Sequence, residues 1–461
     1  MTRKIDQAAL EDLSKNFDGE ILLPDHPAYD EARQVYNKMI DRRPAVIAQC
    51  AGTEDVVRAV RFGLDLGLEI AVRSGGHSVA GWGVTDGGLM VDLRHMNAVE
   101  VDPEARIAHV AGGATCGDVA RACEPYNLVT TGGTVSTTGV AGFALGGGWG
   151  YLSRKFGLAC DNLLSVELVT YDGGIIVASQ EEHPELFWAL HGGGGNFGVA
   201  TKFTFRLHPL PVATMALLIF PPEEGPKVVR SVRDLFEAGA PDELNVELGY
   251  LTAPPEEFVP PHLVNRLSLL VNAFYAGSES EARKALAPLF ELGPEGEMIA
   301  QMSYADIQSA FDSQAGFRYY GSAELLPALP DEAVERFCYR ALDMIVPSAS
   351  VQTISSWGGA IARQAGDWPM ASRDATWLVY PFGQWTDASD DERGIAWVRA
   401  LGSDMAPYAA DGTYINLITD EGRKRTIASY GGEANYRRLA AVKARYDPDN
   451  IFRLNHNIRP D

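Results

Sequence analysis

Between Leu68 and Ser78 the chain reads Leu-Glu-Ile-Ala-Val-Arg-Ser-Gly-Gly-His-Ser. The apolar, alternating part predicts a strand, and Gly75 and Gly76 stop it abruptly. Glycines directly after a strand allow positive φ and let successive N–H groups turn toward one point. A concavity of amides flanked by Arg73, Ser74 and Ser78 suits a pyrophosphate, because oriented N–H groups and a guanidinium both favour phosphate oxygens. His77 then stands where a bound ligand would lie. The same residues also fit a tight turn carrying a surface histidine, with Arg73 as a purely structural ion-pair partner.

The residues around this turn predict open α/β structure. Pro44–Ala48 reads as a buried strand, Thr53 as an N-cap with Glu54 and Asp55 in a first helical turn, and Gly67 as the helix end. The next strand delivers His77, making a βαβ unit with the ligand turn at a carboxyl strand end. Strands are expected at Leu89–Leu93 and Ile107–Ala111, a helix at Gly117–Tyr126, and a hairpin at Val166–Tyr171 and Ile175–Ser179. From Thr131 to Gly150 the chain is rich in glycine and small hydroxyl residues. Each glycine costs about 1 kcal/mol in a helix interior, so neither helix nor strand is expected there. Close backbone approach to a flat or anionic ligand would explain the composition. A flexible linker is the alternative, although Phe143, Leu145 and Trp149 are unusual in one.

A second glycine run, Gly193-Gly194-Gly195-Asn196-Phe197-Gly198, matches GxGxxG literally. The residues after it, Val199–Leu207, alternate like a strand instead of opening a helix, so a dinucleotide-type Rossmann unit is rejected. After Pro209-Leu210-Pro211 the character changes to helices (Gly225–Ala238, and Glu281–Leu292 behind a Ser278/Glu281 capping box) alternating with strands (Leu267–Tyr275, Gln352–Ser356, Thr376–Phe382). That alternation predicts an antiparallel sheet with helices on one face. Tyr250, Gln352 and Gln384 lie on presumed strands and are candidates to face a pocket.

Composition excludes several classes. The chain has 461 residues, enough for more than one domain, and 46% of them are hydrophobic. Lysine and arginine total 39 against 61 acidic residues, 39 − 61 = −22, which repels a phosphate backbone and argues against nucleic-acid binding. No apolar segment follows Arg3-Lys4 and no run could span a bilayer, so a cytoplasmic protein with no membrane partner is expected. The five cysteines are scattered without metal-ligand spacing, so no metal is expected. Nothing in the sequence speaks to oligomeric state.

Arg73-Ser-Gly-Gly-His77-Ser78 resembles the FAD-attachment motif of the vanillyl-alcohol-oxidase family (PCMH-type FAD-binding), in its berberine-bridge-enzyme-like branch. The resemblance continues through Gly139-Val-Ala-Gly142, Leu145-Gly-Gly-Gly-Trp-Gly150, Gly192–Gly198 and Tyr446-Asp447-Pro448. The family's histidine is bonded to the 8α-methyl of the flavin, which implies FAD on His77. The implied fold is α+β: an FAD-binding domain in two parts, residues 1–210 and 418–461, and an antiparallel-sheet substrate domain flanked by helices, residues 211–417. The resemblance implies FAD contacts from Arg73, Ser74, Gly75, Gly76, His77, Ser78, Gly133, Thr134, Val135, Thr138, Gly139, Gly142, Gly148, Gly150, Gly198, Val199, Asn455 and Asn457.

Many relatives carry a cysteine where this chain has Val135, and it forms a second bond to flavin C6. Its replacement implies a single bond, through His77, as in mono-covalent bacterial members such as 6-hydroxy-D-nicotine oxidases and polyketide-tailoring flavoenzymes. Thr138 would lie near flavin N5 and influence dioxygen access. Tyr414-Ile-Asn416 resembles the family's active-site Tyr-x-Asn segment, which makes Tyr414 the expected proton acceptor, with Asn416 beside it. A free tyrosine has a pKa of about 10, so Tyr414 would need a nearby cation; otherwise it only orients. A core tyrosine with a satisfied hydroxyl is the other reading. The implied activity is an FAD-linked oxidase removing hydride from a C–H next to a hydroxyl or amine of a small molecule, with O2 as acceptor and H2O2 as product. A dehydrogenase with another acceptor, an oxygenating or cyclising tailoring enzyme, and a non-catalytic flavin-binding protein share these motifs.

Overall fold

In the computed structural model, residues 5–312, 316–364 and 368–460 are described. The first strands are β1 (Glu20–Leu22), β2 (Val46–Gln49), β3 (Ile70–Arg73) and β4 (Leu89–Asp92), arranged β1-β2-β4-β3. β2 and β3 both run parallel to β4, and the helix Thr53–Asp65 crosses between them. That helix buries Val56, Ala59, Val60 and Phe62, and Gly67 just past its end takes φ +57°. Its N-cap is Gly52, one residue earlier than expected. Thr53 Oγ1 is drawn to Glu167 at 3.0 Å, while the Asp55 carboxylate accepts from the backbone N–H of Asp18, Gly19 and Ala51.

The next strands are β5 (Val99–Asp102), β6 (Ile107–Ala111), β7 (Leu128–Val129), β8 (Leu163–Val169), β9 (Ile175–Ser179) and β10 (Val199–Arg206). Five of them form the antiparallel order β5-β6-β10-β8-β9, while β7 pairs with β11 (His208–Pro209). A 3₁₀ turn, Gly194–Asn196, leads into β10, so the GxGxxG match opens a strand. The glycine-rich stretch departs from expectation: Val140–Leu145 is helical. Its glycines sit mainly at the ends, Gly139 as N-cap and Gly146 as C-cap, while Val140, Ala141, Phe143, Ala144 and Leu145 are buried and supply the driving force.

The largest sheet contains β12 (Ala213–Phe220), β13 (Leu244–Thr252), β14 (Leu267–Tyr275), β15 (Gly296–Met302), β16 (Arg318–Gly321), β17 (Glu324–Leu326), β18 (Val351–Ser356) and β19 (Trp377–Trp385). Its order is β15-β12-β14-β13-β18-β19-β16, with β17 also on β19, and its pairs are antiparallel. Side chains alternate between two faces, as a pleat requires. Leu218, Val246, Leu248, Val271 and Ile354 pack with Val228, Val229, Val232, Val334, Phe337 and Leu401 of the covering helices. At roughly 1.5–3 kcal/mol for each fully buried aliphatic side chain, this layer holds the sheet. The opposite face carries Met215, Leu217, Glu247, Leu251, Asn272, Thr353, Tyr380 and Gln384 and walls a cavity. The capping box of Ser278 and Glu281 is present, but the expected long helix stops at Ala285 and resumes at Ala287–Phe290. Pro288 cannot donate a backbone hydrogen bond there.

The chain ends beside its beginning. Asp447 accepts from the N–H of Ile451 (2.8 Å) and Phe452 (2.9 Å), closing the turn after the helix Glu433–Tyr446. Lys443, fully buried, donates to Asp447 at 2.5 Å, to the Asn196 carbonyl at 2.6 Å and to the Phe452 carbonyl at 3.0 Å. One ammonium therefore ties the last segment to the Gly194–Asn196 turn. Among the described residues, no helix is long and apolar enough to cross a membrane.

Candidate active site

A cavity of about 940 Å³ lies between the glycine-rich turns of the first half of the chain and the large sheet. That is at the upper end of the range for small-molecule and cofactor sites, roughly 300–1,000 Å³. One end is built by two backbone turns in contact. A Cβ on Gly75 would lie 2.2 Å from Gly139 N, and one on Gly139 would lie 2.0 Å from Gly75 N. Only glycine permits this approach, which sets Ser74–Ser78 against the 133–139 loop.

His77 projects from that junction. Its Nε2 is 3.0 Å from Thr137 Oγ1, and the Tyr36 ring stacks on it with centroids 4.2 Å apart. Burial pulls the imidazole pKa down to about 4, so the ring is neutral at ordinary pH and keeps a nucleophilic lone pair. Tyr36 also receives a hydrogen bond from Gln384 Nε2 on β19 at 3.1 Å, tying the histidine's neighbour to the large sheet. Neither Tyr36 nor Thr137 was legible as a site residue, since each lies outside the glycine signature.

Of the expected FAD contacts, Ser74, Gly75, Gly76, His77, Ser78, Gly133, Thr134, Val135, Thr138, Gly139, Gly142, Gly198 and Asn455 all line the cavity. Arg73 does too, and its guanidinium is held by the chain itself. It pairs with Asp92 at 2.5 Å, both groups being buried, and donates to the Gln34 carbonyl at 2.6 Å. Burial works to raise the Asp92 carboxyl, but Arg73 and Arg94 hold it below the usual range. Arg73 thus fastens the end of β3 to the end of β4.

Four other expected contacts are not on the wall. Gly148 is packed between Ala159 and Phe143, and a Cβ on Gly150 would sit 1.9 Å from the Gly132 carbonyl oxygen. These two glycines serve loop packing. Val199 follows the pleat of β10 into the core, away from Gly198 and Ala200, which face the cavity. Asn457 lies beyond the lining residues Asn455 and His456.

Tyr414 and Asn416 also line the cavity. Tyr414 Oη accepts from Gly148 N (3.0 Å), Trp149 N (2.9 Å) and Asn416 Nδ2 (3.0 Å). Burial raises its pKa to about 12 against the pull of these three donors, and no cation stands among the groups acting on it. At neutral pH it is a fixed hydroxyl, which fits the orienting role. Asn416 is committed to Tyr414 and to the Phe143 carbonyl at 3.0 Å, so it braces the helix Val140–Leu145. Of the three strand candidates only Gln384 faces the cavity. Tyr250 bonds the Pro222 carbonyl at 3.1 Å and Gln352 the Phe337 carbonyl at 2.6 Å, both in the helix layer.

The wall holds a further polar group on the sheet side. Glu247 accepts from Tyr380 Oη at 2.5 Å and Ser355 Oγ at 2.9 Å, and Asn272 beside it donates to Tyr151 Oη at 3.3 Å. A single acid in the alternating run Leu244–Thr252 was the available signal for it.

The donor set tests whether FAD fits. Ser74 Oγ, Trp149 Nε1 and Asn455 Oδ1 are buried on the cavity wall with no hydrogen-bond partner in the chain. Unpaired buried polar atoms are costly, so a ligand carrying both donors and acceptors is called for. A flavin dinucleotide meets that need, and the Gly75–Gly139 contact and the open space over Gly142 give it close backbone.

Comparison with known proteins agrees. Residues 44–179 match the FAD binding domain and residues 413–459 the family described as berberine and berberine like. The (R)-6-hydroxynicotine oxidase of Paenarthrobacter nicotinovorans is 31% identical over 459 residues, spanning 96% of this chain and 97% of that protein. A crystal structure of 6-hydroxy-D-nicotine oxidase from Arthrobacter nicotinovorans superposes with a TM-score of 0.85 at 29% identity, over 97% of this chain and 99% of that one. Glucooligosaccharide oxidase from Acremonium strictum, whose cofactor is described as 6-S-cysteinyl, 8α-N1-histidyl FAD, superposes at 0.84 with 25% identity over 98% and 99%. Fold and site together define an FAD-linked oxidoreductase. The chain belongs to the berberine-like family of FAD-linked oxidases.

Proposed function

We propose that this protein carries one FAD bonded through His77 alone and oxidises a small molecule at a C–H next to a hydroxyl or amine, with O2 accepting the electrons to give H2O2. The observation that carries the reading is His77 itself: a neutral imidazole at the Gly75–Gly139 junction, facing a cavity with unpartnered polar atoms. Single attachment is supported by Val135 on the cavity wall. Among the described residues no cysteine lines the cavity, and burial pushes the Cys116 thiol up to about 12.

Residues 74–78, Gly133–Val135, Gly139, Gly142, Gly198 and Asn455 would hold the cofactor, with Thr138 on the same wall. Bound there, the flavin supplies the two-electron acceptor; the chain supplies position and shelter. Tyr414 and Asn416 hold the 146–149 backbone in place, and Tyr36 and Thr137 fix the imidazole. The sheet face, with Met215, Leu217, Leu251 and Phe382, excludes water from the substrate side.

Anaerobic mixing with a panel of sugars, alcohols, amines and polyketides tests this. At least one class should bleach the flavin, and admitting air should restore the colour with uptake of O2. A flavin bleached by dithionite but by no member of the panel would favour a non-catalytic role, and bleaching without O2 uptake would make the protein a dehydrogenase.

A further inference from the structure

The sheet wall carries an ionisable cluster for which the reading above has no use. Strand register places it: Glu247 on β13 is paired with Asn272 on β14 and with Ser355 on β18, while Tyr380 on β19 is paired with Thr353 two residues from Ser355. The side chains of Glu247, Asn272 and Tyr380 therefore share the cavity face of four adjacent strands. The sheet face of the cavity is otherwise mostly apolar, with Leu217, Leu251, Leu270 and Phe382 beside Thr353 and Gln384.

Two contacts bring the cluster to the cofactor loop. The Trp149 ring meets the Tyr380 ring edge-on at 6.2 Å, and Tyr151 Oη receives the bond from Asn272. Both aromatic residues adjoin Gly150, at the end of the glycine-rich stretch. The carboxylate is enclosed by protein and keeps part of its surface toward the cavity.

We infer that Glu247, held by Tyr380 and Ser355, is the proton acceptor of the reaction and that the substrate is a largely apolar alcohol. This rests on the oxidase reading. In the step, the substrate O–H proton passes to the Glu247 carboxylate while the hydrogen on the same carbon leaves as hydride to the oxidised flavin, and the C–O bond becomes a carbonyl. Dioxygen then takes two electrons and the transferred hydrogen's proton from the reduced flavin and, with the second proton returned by Glu247, leaves as H2O2. A base on a mostly apolar wall with no cation facing it selects a neutral substrate. Burial is the largest influence on Glu247 and raises its pKa above the ordinary carboxylate range; Tyr380 and Ser355 pull it back. The groups facing it are Tyr380 from β19, Ser355 from β18, Asn272 from β14 and Tyr151 from the loop, none of them cationic.

The test uses flavin-loaded wild type, E247Q and Y380F. Glutamine keeps the shape and an oxygen for Tyr380 and Ser355, so E247Q should fold and carry wild-type flavin. Without substrate, a pH titration of the flavin absorbance should show a transition above the ordinary carboxylate range in wild type, moved higher in Y380F and missing in E247Q. With 1-tetralol and 9-fluorenol as probes, anaerobic bleaching of E247Q should be at least about 100-fold slower than wild type and should lose its acid limb. A transition that persists in E247Q, E247Q bleached at the wild-type rate, or wild type untouched by both alcohols would overturn the inference. Wild-type protein without flavin would instead overturn the reading beneath it.

Discussion

Replacing Gly139 by alanine isolates the contact that positions His77. Gly139 has φ −67° and ψ 128°, a conformation alanine adopts freely, so no backbone strain enters. The added methyl would lie 2.0 Å from Gly75 N, 2.4 Å from Ser74 Oγ and 2.8 Å from Gly75 Cα. Two of these neighbours are backbone and cannot swing aside. Reaching an ordinary contact of 3.4 Å requires the two turns to part by 3.4 − 2.0 = 1.4 Å. That movement would break the 3.0 Å approach of His77 to Thr137, and overpacking of this kind costs about 1–3 kcal/mol. Gly142 is the internal control, because a methyl there meets nothing within 4 Å. Alanine at 142 should strengthen the helix by about 1 kcal/mol in flavin-free protein. It should also narrow the cavity and reduce flavin loading. Thermal unfolding and acid-resistant flavin content read both effects. Gly139→Ala protein with wild-type melting and full acid-resistant flavin would refute the reasoning.

Three more outcomes are expected. Asp447→Asn leaves Lys443 as a buried cation without its anion and should cost about 3–5 kcal/mol in urea unfolding, loosening the C-terminal segment first. His191, His208 and His456 all have pKa values lowered to about 4, with burial the largest cause, so the unfolded chain takes up protons first as pH falls from about 6.5. Stability should be complete above pH 6.5 and decline toward pH 4, and His191→Gln should flatten the decline measured by denaturant unfolding at stepped pH. Tyr414→Phe strands the buried N–H groups of Gly148 and Trp149, about 1–3 kcal/mol each, so melting should fall while the flavin stays attached.

How much of this was legible in the sequence depended on the kind of interaction. The βαβ unit that delivers His77, the β8–β9 hairpin and the strand after the second glycine run follow from local periodicity and turn residues. The helix Val140–Leu145 was hidden because its stability comes from burial of Phe143 and Leu145 and not from propensity. The partner of Arg73 was hidden because Asp92 lies on a neighbouring strand whose register the sequence does not announce. Glu247 was missed for a related reason. Its meaning arises only when Asn272, Ser355 and Tyr380 are aligned across the sheet, and no local pattern marks such a row. Tyr414 was found by its motif, yet its chemistry is set by backbone amides of Gly148 and Trp149, which carry no signature.

The central claim is most directly tested on the unfolded polypeptide. Acid-denatured wild-type protein should retain its yellow colour and weigh one FAD, less two hydrogens, more than the bare chain, with the added mass on the peptide containing His77; His77→Ala should release the dye. Wild-type chain of unmodified mass, with free FAD in the supernatant, would contradict the account.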